Sequence, residues 1–240
     1  MKYLDRTWPT AAENLACDEA LLDWSEEEGD TEVLRLWEAR EHFVVLGYAN
    51  HASREVNLDA CRAHDIPVLR RCSGGGTVLQ GPGCLNYSLI LKIEGKKPLQ
   101  SISETNCYIM LRNAEAVTAV LGKSVAVEGS TDLAINHLKF SGNAQRRKRD
   151  FILFHGTFLL DYDSALMEEL LLLPARQPDY RQNRSHAEFL TRLDLPTDST
   201  KAALKKSWAA NEPLREIPNA AISRLVQEKY SREEWNLKWE

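Results

Sequence analysis

The chain has 240 residues, of which 43% are hydrophobic and 27% charged, and its formal net charge is −5. This length allows one domain with its own hydrophobic core, and the acidic balance excludes a general nucleic-acid or membrane-surface binder. The first residues lack the apolar stretch of a signal peptide, and no run of about eighteen apolar residues could span a bilayer. We therefore expect a cytoplasmic protein that binds neither nucleic acid nor membrane.

The first half of the chain predicts a helix followed by several strands. Leu15, Leu21 and Leu22 form one apolar stripe with helical period, and short alternating segments follow. We expect, in chain order, a helix over residues 11–24, strands over 32–37 and 42–47, a helix over 53–64, and strands over 67–71 and 86–93 on either side of a glycine-rich loop.

The second half changes from strands to helices near residue 163. We expect a helix over 104–121, strands over 124–128, 132–135, 139–141 and 151–161, and helices over 164–172, 200–209 and 220–229. Prolines separate the later helices. The pattern predicts an α+β fold, a mixed β-sheet with flanking helices, as one domain over 1–240. Its core covers about residues 10–195, residues 196–240 form a helical C-terminal cap, and no separate accessory domain is expected.

Five cysteines stand at positions 17, 61, 72, 84 and 107, an odd number without a Cys-x-x-Cys pair. A disulfide framework or a structural zinc site would need a more regular spacing. We therefore expect reduced thiols that pack as small apolar side chains, and no metal site. Whether Cys72 or Cys84 is reactive stays open from the sequence.

A glycine-rich loop is expected over residues 70–83, where three consecutive glycines follow Arg-Arg-Cys-Ser. Glycines let the backbone approach a ligand closely, successive N–H groups can hold an anion, and the arginines add positive charge. The spacing matches neither the Walker pattern nor the dinucleotide fingerprint. A tight turn explains the glycines equally well, so the loop alone leaves ligand binding open.

Two further segments place polar residues in apolar strands. Strand alternation puts Lys139 and Ser141 on one face and Phe140 on the other. An inward lysine is costly unless it meets an anion, although an edge-strand lysine that prevents aggregation is an alternative. The sequence His155-Gly156-Thr157 interrupts another apolar strand, where a structural histidine is the usual explanation.

Together, these three segments resemble the lipoate–protein ligase branch of the biotin/lipoate protein ligase superfamily. That branch carries Arg-Arg-x-Ser-Gly-Gly-Gly, Lys-x-Ser-Gly-x-Ala and His-Gly-Thr-Leu-Leu-Leu in this order. The corresponding residues here are 70–76, 139–144 and 155–160, with Phe158 in place of one leucine. Supporting matches are Asn14 with Asp18 and Glu19, and residues 34–37. The resemblance covers roughly residues 10–195, and three motifs in fixed order make it specific.

The resemblance implies the catalytic-domain fold of this superfamily and an ATP-dependent reaction in two steps. The carboxylate of lipoate attacks the α-phosphate of Mg²⁺-bound ATP, and a lysine of an acidic lipoyl carrier domain then attacks the resulting lipoyl-AMP. Lys139 would be the catalytic residue, bridging the adenylate phosphate and the acyl carbonyl. Arg71 and residues 76–79 would hold phosphates and adenosine, and His155 would lie near the acyl or carrier-lysine entrance.

The residues that the resemblance assigns to ATP and lipoyl-AMP come from all three motifs and from the strands beside them. They are Arg71, Ser73, Gly74, Gly75, Gly76, Thr77, Val78, Leu79, Asn86, Asp132, Ser141, Gly142, Asn143, His155 and Gly156.

The sequence departs from the ligase pattern after the glycines. Ligases commonly have a His-Asp pair there, whereas residues 80–83 read Gln-Gly-Pro-Gly, which is typical of related octanoyltransferases. Those enzymes pass octanoate from acyl carrier protein through a cysteine thioester. Their cysteine lies just upstream of the Lys-x-Ser-Gly segment or well beyond it, but residues 128–132 read Glu-Gly-Ser-Thr-Asp and no cysteine follows Cys107. The missing thiol favours a ligase over an octanoyltransferase, with a catalytically inactive acyl- or nucleotide-binding module as a second alternative.

Two arginine-rich segments and the length of the chain leave questions open. Residues 176–186 could cover the adenylate, but a solvated loop is the simpler interpretation. Residues 146–149 are typical of a solvated turn, or of a docking patch for an acidic carrier. Large ligases add a C-terminal accessory domain for which this chain has no room, so a separate accessory protein is a candidate partner.

Overall fold

The computed structural model describes residues 1–174 and 176–239. Its strands are β1 Lys2–Asp5, β2 Val33–Glu38, β3 Phe43–Leu46, β4 Val68–Arg70, β5 Val78–Gln80, β6 Cys84–Lys92, β7 Ala126–Glu128, β8 Asp132–Ile135, β9 Leu138–Arg147, β10 Phe151–Leu159 and β11 Glu212–Pro213. Its α-helices are α1 Ala11–Glu28, α2 Ala52–Glu55, α3 Leu58–Ala63, α4 Ile102–Leu121, α5 Ser164–Leu170, α6 His186–Phe189, α7 Thr197–Ser207, α8 Asn219–Leu225 and α9 Glu233–Asn236. None of these helices is long and apolar enough to cross a membrane.

The strands of the described residues form a large sheet and a small one. The large sheet has the order β11-β1-β2-β6-β10-β9-β8-β7, and the small one has the order β4-β3-β5. Parallel pairs join β11, β1 and β2, whereas the rest of the large sheet is antiparallel. The predicted α+β fold, a mixed sheet with flanking helices, is confirmed.

The large sheet is buried on both faces. Along β2, Val33 packs into a core with α1 and the small sheet, whereas Leu34 packs into a core with α4 and α7. The same alternation continues along β6 and β10, so these strands are largely buried and mostly apolar. Polar residues that interrupt the α1 face of this sheet therefore mark the place where a ligand site can form.

Helix α1 is buried on nearly every side. Thr10 caps its N-terminus in a capping box with Glu13, and the helix ends at Gly29, whose φ is +82°. It runs four residues beyond the predicted end at residue 24. Its buried polar residues include Asp18 and Glu19, and Asp18 becomes part of the site described below.

Three local predictions differ from the structure. The helix expected over residues 53–64 is two short helices, because Val56 bridges to Leu171 in an isolated β-bridge and the Asn57 side chain caps α3. Strands β1, β5 and β11, each two to four residues long, were not predicted.

The third difference is at residues 146–149, where β9 continues to Arg147. Arg146 Nη1 donates to the Cys72 carbonyl at 2.9 Å, and Lys148 Nζ lies 2.7 Å from Asp23 Oδ1. Arg149 pairs with Asp150 at 2.7 Å. The solvated-turn interpretation is therefore wrong for Arg146 and Arg147, which lie in β9, but residues 148 and 149 do lie in the turn before β10.

Candidate active site

A cavity of about 510 Å³ lies between the α1 face of the large sheet and the small sheet. Leu15, Trp37, Val45 and Val78 form an apolar part of its wall, and polar residues of β6, β9 and β10 form another part. A cavity of this size, with an apolar wall and a few convergent polar groups, is typical of small-molecule sites.

Most of the predicted site residues lie in the wall of this cavity, although the three motifs are far apart in the sequence. Those in the wall are Arg71, Gly75, Gly76, Thr77, Val78, Leu79, Asn86, Asp132, Lys139, Gly142, Asn143, His155 and Gly156. Ser73, Gly74 and Ser141 lie directly behind it, where each is hydrogen-bonded to a wall residue.

Arg71 shapes the glycine loop from beneath. Its Nη2 donates to the carbonyls of Gly74 and Gly76 at 2.5 and 2.8 Å, and burial lowers its pKa to about 10. Gly75 has a φ of +88°, and a Cβ there would lie 2.8 Å from Arg71 Nη2. A Cβ on Gly47 would lie 2.1 Å from the Gly75 carbonyl oxygen. Gly75 and Gly47 are therefore required by a loop that folds tightly around the guanidinium, whereas a Cβ on Gly74 or Gly76 would meet no atom within 4 Å.

Arg70 is not part of the cavity wall. Its guanidinium donates to the carbonyls of Gly47 and Asn50 at 2.8 and 2.7 Å, and its backbone N–H donates to Asn236 Oδ1 at 3.0 Å. Arg70 thus ties α9 and the turn after β3 to the base of the loop. The expectation that both arginines add charge at the ligand is wrong for Arg70.

Lys139 projects into the cavity from β9, while Phe140 packs into the core on the opposite face, as strand alternation predicts. Lys139 Nζ lies 2.8 Å from Asp132 Oδ1, and Tyr180 Oη donates to Asp132 Oδ2 at 2.8 Å. The side chain of Lys139 is 25% exposed, so a ligand can reach it. A Cβ on Gly142 would lie 2.9 Å from Lys139 Nζ, so a larger residue there would displace the lysine side chain.

Hydrogen bonds to its oxygen and from its nitrogen fix the side-chain amide of Asn143. Its Oδ1 accepts from Tyr87 Oη at 2.6 Å, and its Nδ2 donates to the Thr131 carbonyl at 2.7 Å. A Cβ on Gly156 would lie only 1.6 Å from Asn143 Oδ1. The glycine of the His-Gly-Thr motif is therefore explained by the space that this amide occupies.

Asn86 is joined to two residues that the sequence did not single out as site residues. Gln80 Nε2 donates to Thr157 Oγ1 at 2.7 Å, Thr157 Oγ1 donates to Asn86 Oδ1 at 2.6 Å, and Asn86 Nδ2 donates to Gln80 Oε1 at 2.9 Å. The three side chains form a closed ring of hydrogen bonds in the wall. All three side chains are uncharged, so this part of the wall is neutral.

His155 is the centre of a hydrogen-bonded chain behind the glycine loop. Its Nε2 lies 2.5 Å from Ser73 Oγ, and its Nδ1 lies 3.1 Å from Asp18 Oδ2. Asp18 Oδ1 lies 2.5 Å from Arg35 Nη1, and both of these side chains are buried. Burial by itself would raise the pKa of Asp18, but Arg35 and His155 together bring it below its ordinary value. This chain fixes the imidazole and connects the loop to α1 and β2.

Among the described residues, no cysteine lines the cavity. Burial raises the pKa of Cys17, Cys72 and Cys84 to about 12, and it also raises the pKa of Cys61. The exposed Cys107 lies on α4. In the loop between β7 and β8, Ser130 and Thr131 line the cavity.

Residues 176–190, which we call the lid segment, cover one side of the cavity. Tyr180 donates a hydrogen bond to Asp132. Three other residues of the segment line the cavity and are buried, with relative exposures of 5% for Arg181, 8% for His186 and 1% for Phe189. The solvated-loop interpretation is therefore wrong for these residues. Sequence reasoning missed their burial because it depends on packing against β9, which lies about 40 residues earlier in the chain.

The sequence matches a known protein family. Residues 10–208 match the lipoyl protein ligase A/B catalytic domain. The chain belongs to this family. Octanoyltransferase LipM of Geobacillus kaustophilus is 26% identical over 99% of this chain and 98% of its own length. A protein named lipoate-protein ligase A in Aeropyrum pernix is 32% identical over 66% of this chain and 57% of its own length.

Solved structures of family members show the same fold. A bipartite lipoate protein ligase of Thermoplasma acidophilum superposes with a TM-score of 0.83 at 24% identity, covering 100% of this chain and 96% of its own. A lipoate-protein ligase A bound with ATP superposes with a TM-score of 0.82 at 23% identity, covering 100% and 99%. The chain is thus an enzyme of the family that contains both lipoate ligases and octanoyltransferases.

Proposed function

We propose that this protein is an ATP-dependent lipoate–protein ligase. It would convert lipoate and ATP to lipoyl-AMP and transfer the lipoyl group to a lysine of a lipoyl carrier domain. The observation that carries this proposal is that Lys139 lies in the wall of the cavity whereas the cysteines do not. The activation step needs a cation at the phosphate, and the alternative thioester step needs a thiolate at the acyl carbonyl.

The wall of the cavity offers suitable places for both parts of lipoyl-AMP. The apolar side chains of Leu15, Trp37, Val45 and Val78 would hold the acyl chain. Lys139 and the glycine loop would hold the phosphate and the acyl carbonyl. The other predicted site residues, including Ser73, Ser141 and Asn143, would support the nucleotide directly or through their neighbours.

In the activation step, a lipoate carboxylate oxygen attacks the α-phosphorus of ATP, and the bond to the leaving pyrophosphate breaks. In the transfer step, the amine of the carrier lysine attacks the acyl carbonyl, AMP leaves, and the amine loses a proton. Negative charge develops on phosphate or carbonyl oxygens in both steps, so a cation fixed before the reaction lowers both barriers. Lys139 would serve both steps after exchanging its bond to Asp132 for one to the ligand. Mg²⁺ would enter with ATP as part of the substrate.

A thioester mechanism fits these residues poorly. Cys72 and Cys84 lie outside the wall, and a thiol with a pKa of about 12 is almost entirely protonated at neutral pH. Ser130 and Thr131 occupy the loop in which one octanoyltransferase branch keeps its cysteine. Octanoyltransferase remains the alternative function, because LipM relatives match 99% of the chain and residues 80–83 read Gln-Gly-Pro-Gly. An inactive binding module is the second alternative.

The acceptor in this proposal is an acidic lipoyl carrier domain. The Thermoplasma acidophilum ligase was described together with its E2 lipoyl domain, and it is bipartite. Both facts support a carrier domain as the protein substrate and a separate accessory protein as a possible second partner. We propose that residues 1–240 form one catalytic domain.

The proposal is tested by weighing an apo lipoyl domain after incubation with the protein and one of two donors. One sample contains lipoate and Mg²⁺-ATP, and the other contains octanoyl acyl carrier protein. A mass gain that requires lipoate and ATP supports the ligase. A gain only from octanoyl carrier protein would make the protein an octanoyltransferase. If neither donor works, synthetic lipoyl-AMP separates a missing activation partner from an inactive module.

A further inference from the structure

Arg181 of the lid segment is a buried cation that forms no ion pair within the described residues. It is 5% exposed and lines the cavity, and it forms no ion pair with any carboxylate in residues 1–174 and 176–239. Its Nε donates to the Arg184 carbonyl at 3.0 Å, whereas its buried Nη2 finds no hydrogen-bond partner among these residues. Burying a guanidinium in this way is costly unless an anion binds there.

The guanidinium is held in place beside the Lys139 cluster. Its Cζ lies 4.8 Å from the centre of the Phe189 ring, and the residue after Phe189 forms an isolated β-bridge with Lys139. The preceding residue, Tyr180, donates to the same Asp132 carboxylate that pairs with Lys139. The lid segment that carries Arg181 is thus attached to Lys139 and its partner Asp132, and both cations line the same cavity.

The two cations differ in what already neutralises them. Asp132 forms an ion pair with Lys139, whereas Glu168 and Asp132 stabilise the charge of Arg181 only from a greater distance, without an ion pair in the described residues. His186, whose Nδ1 also finds no hydrogen-bond partner in the described residues, has its pKa lowered by burial and by Arg181. It is therefore neutral at pH 7 and does not add a competing charge. A guanidinium with free amino groups in a fixed plane matches phosphate oxygens well.

We propose that Arg181 is a further phosphate ligand of lipoyl-AMP, which the lid segment supplies in addition to Lys139 and the glycine loop. This inference rests on the proposed function, because it assigns the lid to the phosphate of the same nucleotide. The phosphate would accept bonds from the Arg181 amino groups, and Phe189 would keep the guanidinium plane oriented.

The test compares two analogues by equilibrium binding to the full chain. One is a phosphonate analogue of lipoyl-AMP, which keeps the negative charge, and the other is 5′-O-lipoyl-adenosine, which has no phosphate. We expect Arg181→Gln to weaken the phosphonate by about ten- to a hundredfold, as for other charge-assisted hydrogen bonds. The uncharged analogue should change by less than about threefold, and Arg181→Lys should recover part of the phosphonate affinity.

Arg184→Gln is the matched control. Arg184 also lies over the Phe189 ring, at 5.1 Å, but its Nη2 donates to the carbonyls of Tyr180 and His137. Its loss should loosen the lid and affect both analogues alike. Equal weakening of both analogues by Arg181→Gln, or no weakening, would overturn the inference while leaving the ligase proposal intact. If the unsubstituted chain binds neither analogue, the proposed function itself fails.

Discussion

Replacing Asp18 with asparagine removes one charge of a buried ion pair and keeps the shape of the side chain. Arg35 Nη1 and Asp18 Oδ1 are 2.5 Å apart, and the two side chains are 0% and 4% exposed. Removing one partner of such a pair leaves the other charge buried and unpaired, which costs roughly 3–5 kcal/mol. For a chain of this size, the melting temperature should then fall by about 6–20 °C.

The free energy of unfolding of Asp18→Asn should be measured by urea denaturation at pH 7, with Asp161→Asn as the control. Asp161 pairs with Arg192 at 2.7 Å, but these side chains are 78% and 65% exposed, so the control should lose less than about 1 kcal/mol. Replacing Arg35 by methionine as well should recover part of the loss. The reasoning is refuted if Asp18→Asn and Asp161→Asn lose the same small amount.

The same pair predicts how stability depends on pH. The pKa of Asp18 lies below its ordinary value of 3.8 because Arg35 and His155 outweigh the opposing effect of burial. A carboxyl with a lowered folded-state pKa stabilises the fold above its unfolded pKa, and this stabilisation disappears as the pH falls through the folded value. Below about pH 4, the unsubstituted chain should therefore lose stability more steeply than Asp18→Asn.

Three further predictions concern activity. Lys139→Ala should lower lipoyl transfer by at least about a hundredfold without unfolding the chain, and a folded variant with near-normal transfer would remove Lys139 from the mechanism. Gly156→Ala should displace the Asn143 amide, because its Cβ would lie 1.6 Å from Asn143 Oδ1. We expect the transfer rate to fall by about tenfold or more and the free energy of unfolding to fall by about 1–3 kcal/mol. Normal transfer kinetics in this variant would contradict the reasoning. Folded Cys72→Ala and Cys84→Ala variants should transfer the lipoyl group at a rate within about threefold of the unsubstituted chain. Loss of a nucleophilic cysteine would lower that rate far more.

The motifs could be predicted because their chemistry is local. Alternation along β9 places Lys139 and Phe140 on opposite faces from the sequence alone, and the glycines of residues 74–76 indicate a close backbone approach. The predicted residues meet in one cavity for the same reason: β9 and β10 are adjacent antiparallel strands, and the glycine loop joins the small sheet that faces them.

The missed features depend on contacts between distant parts of the chain. The burial of Arg181 is produced by Phe189 and β9, and no local pattern separates it from a solvated arginine. Arg35 did offer a signal, because it lies between Leu34 and Leu36 in a strand that is buried throughout. A charge in that position requires a buried partner, and Asp18 on α1 is that partner.

The central claim is that the acyl group passes from an adenylate directly to the carrier lysine and never through a thiol of this chain. The direct measurement is the intact mass of the protein itself, recorded after rapid quenching while it modifies an apo lipoyl domain. With lipoyl-AMP as donor, we expect the lipoyl domain to gain mass while the protein keeps its own. A protein that carries an octanoyl group on cysteine during turnover with octanoyl carrier protein would contradict the claim.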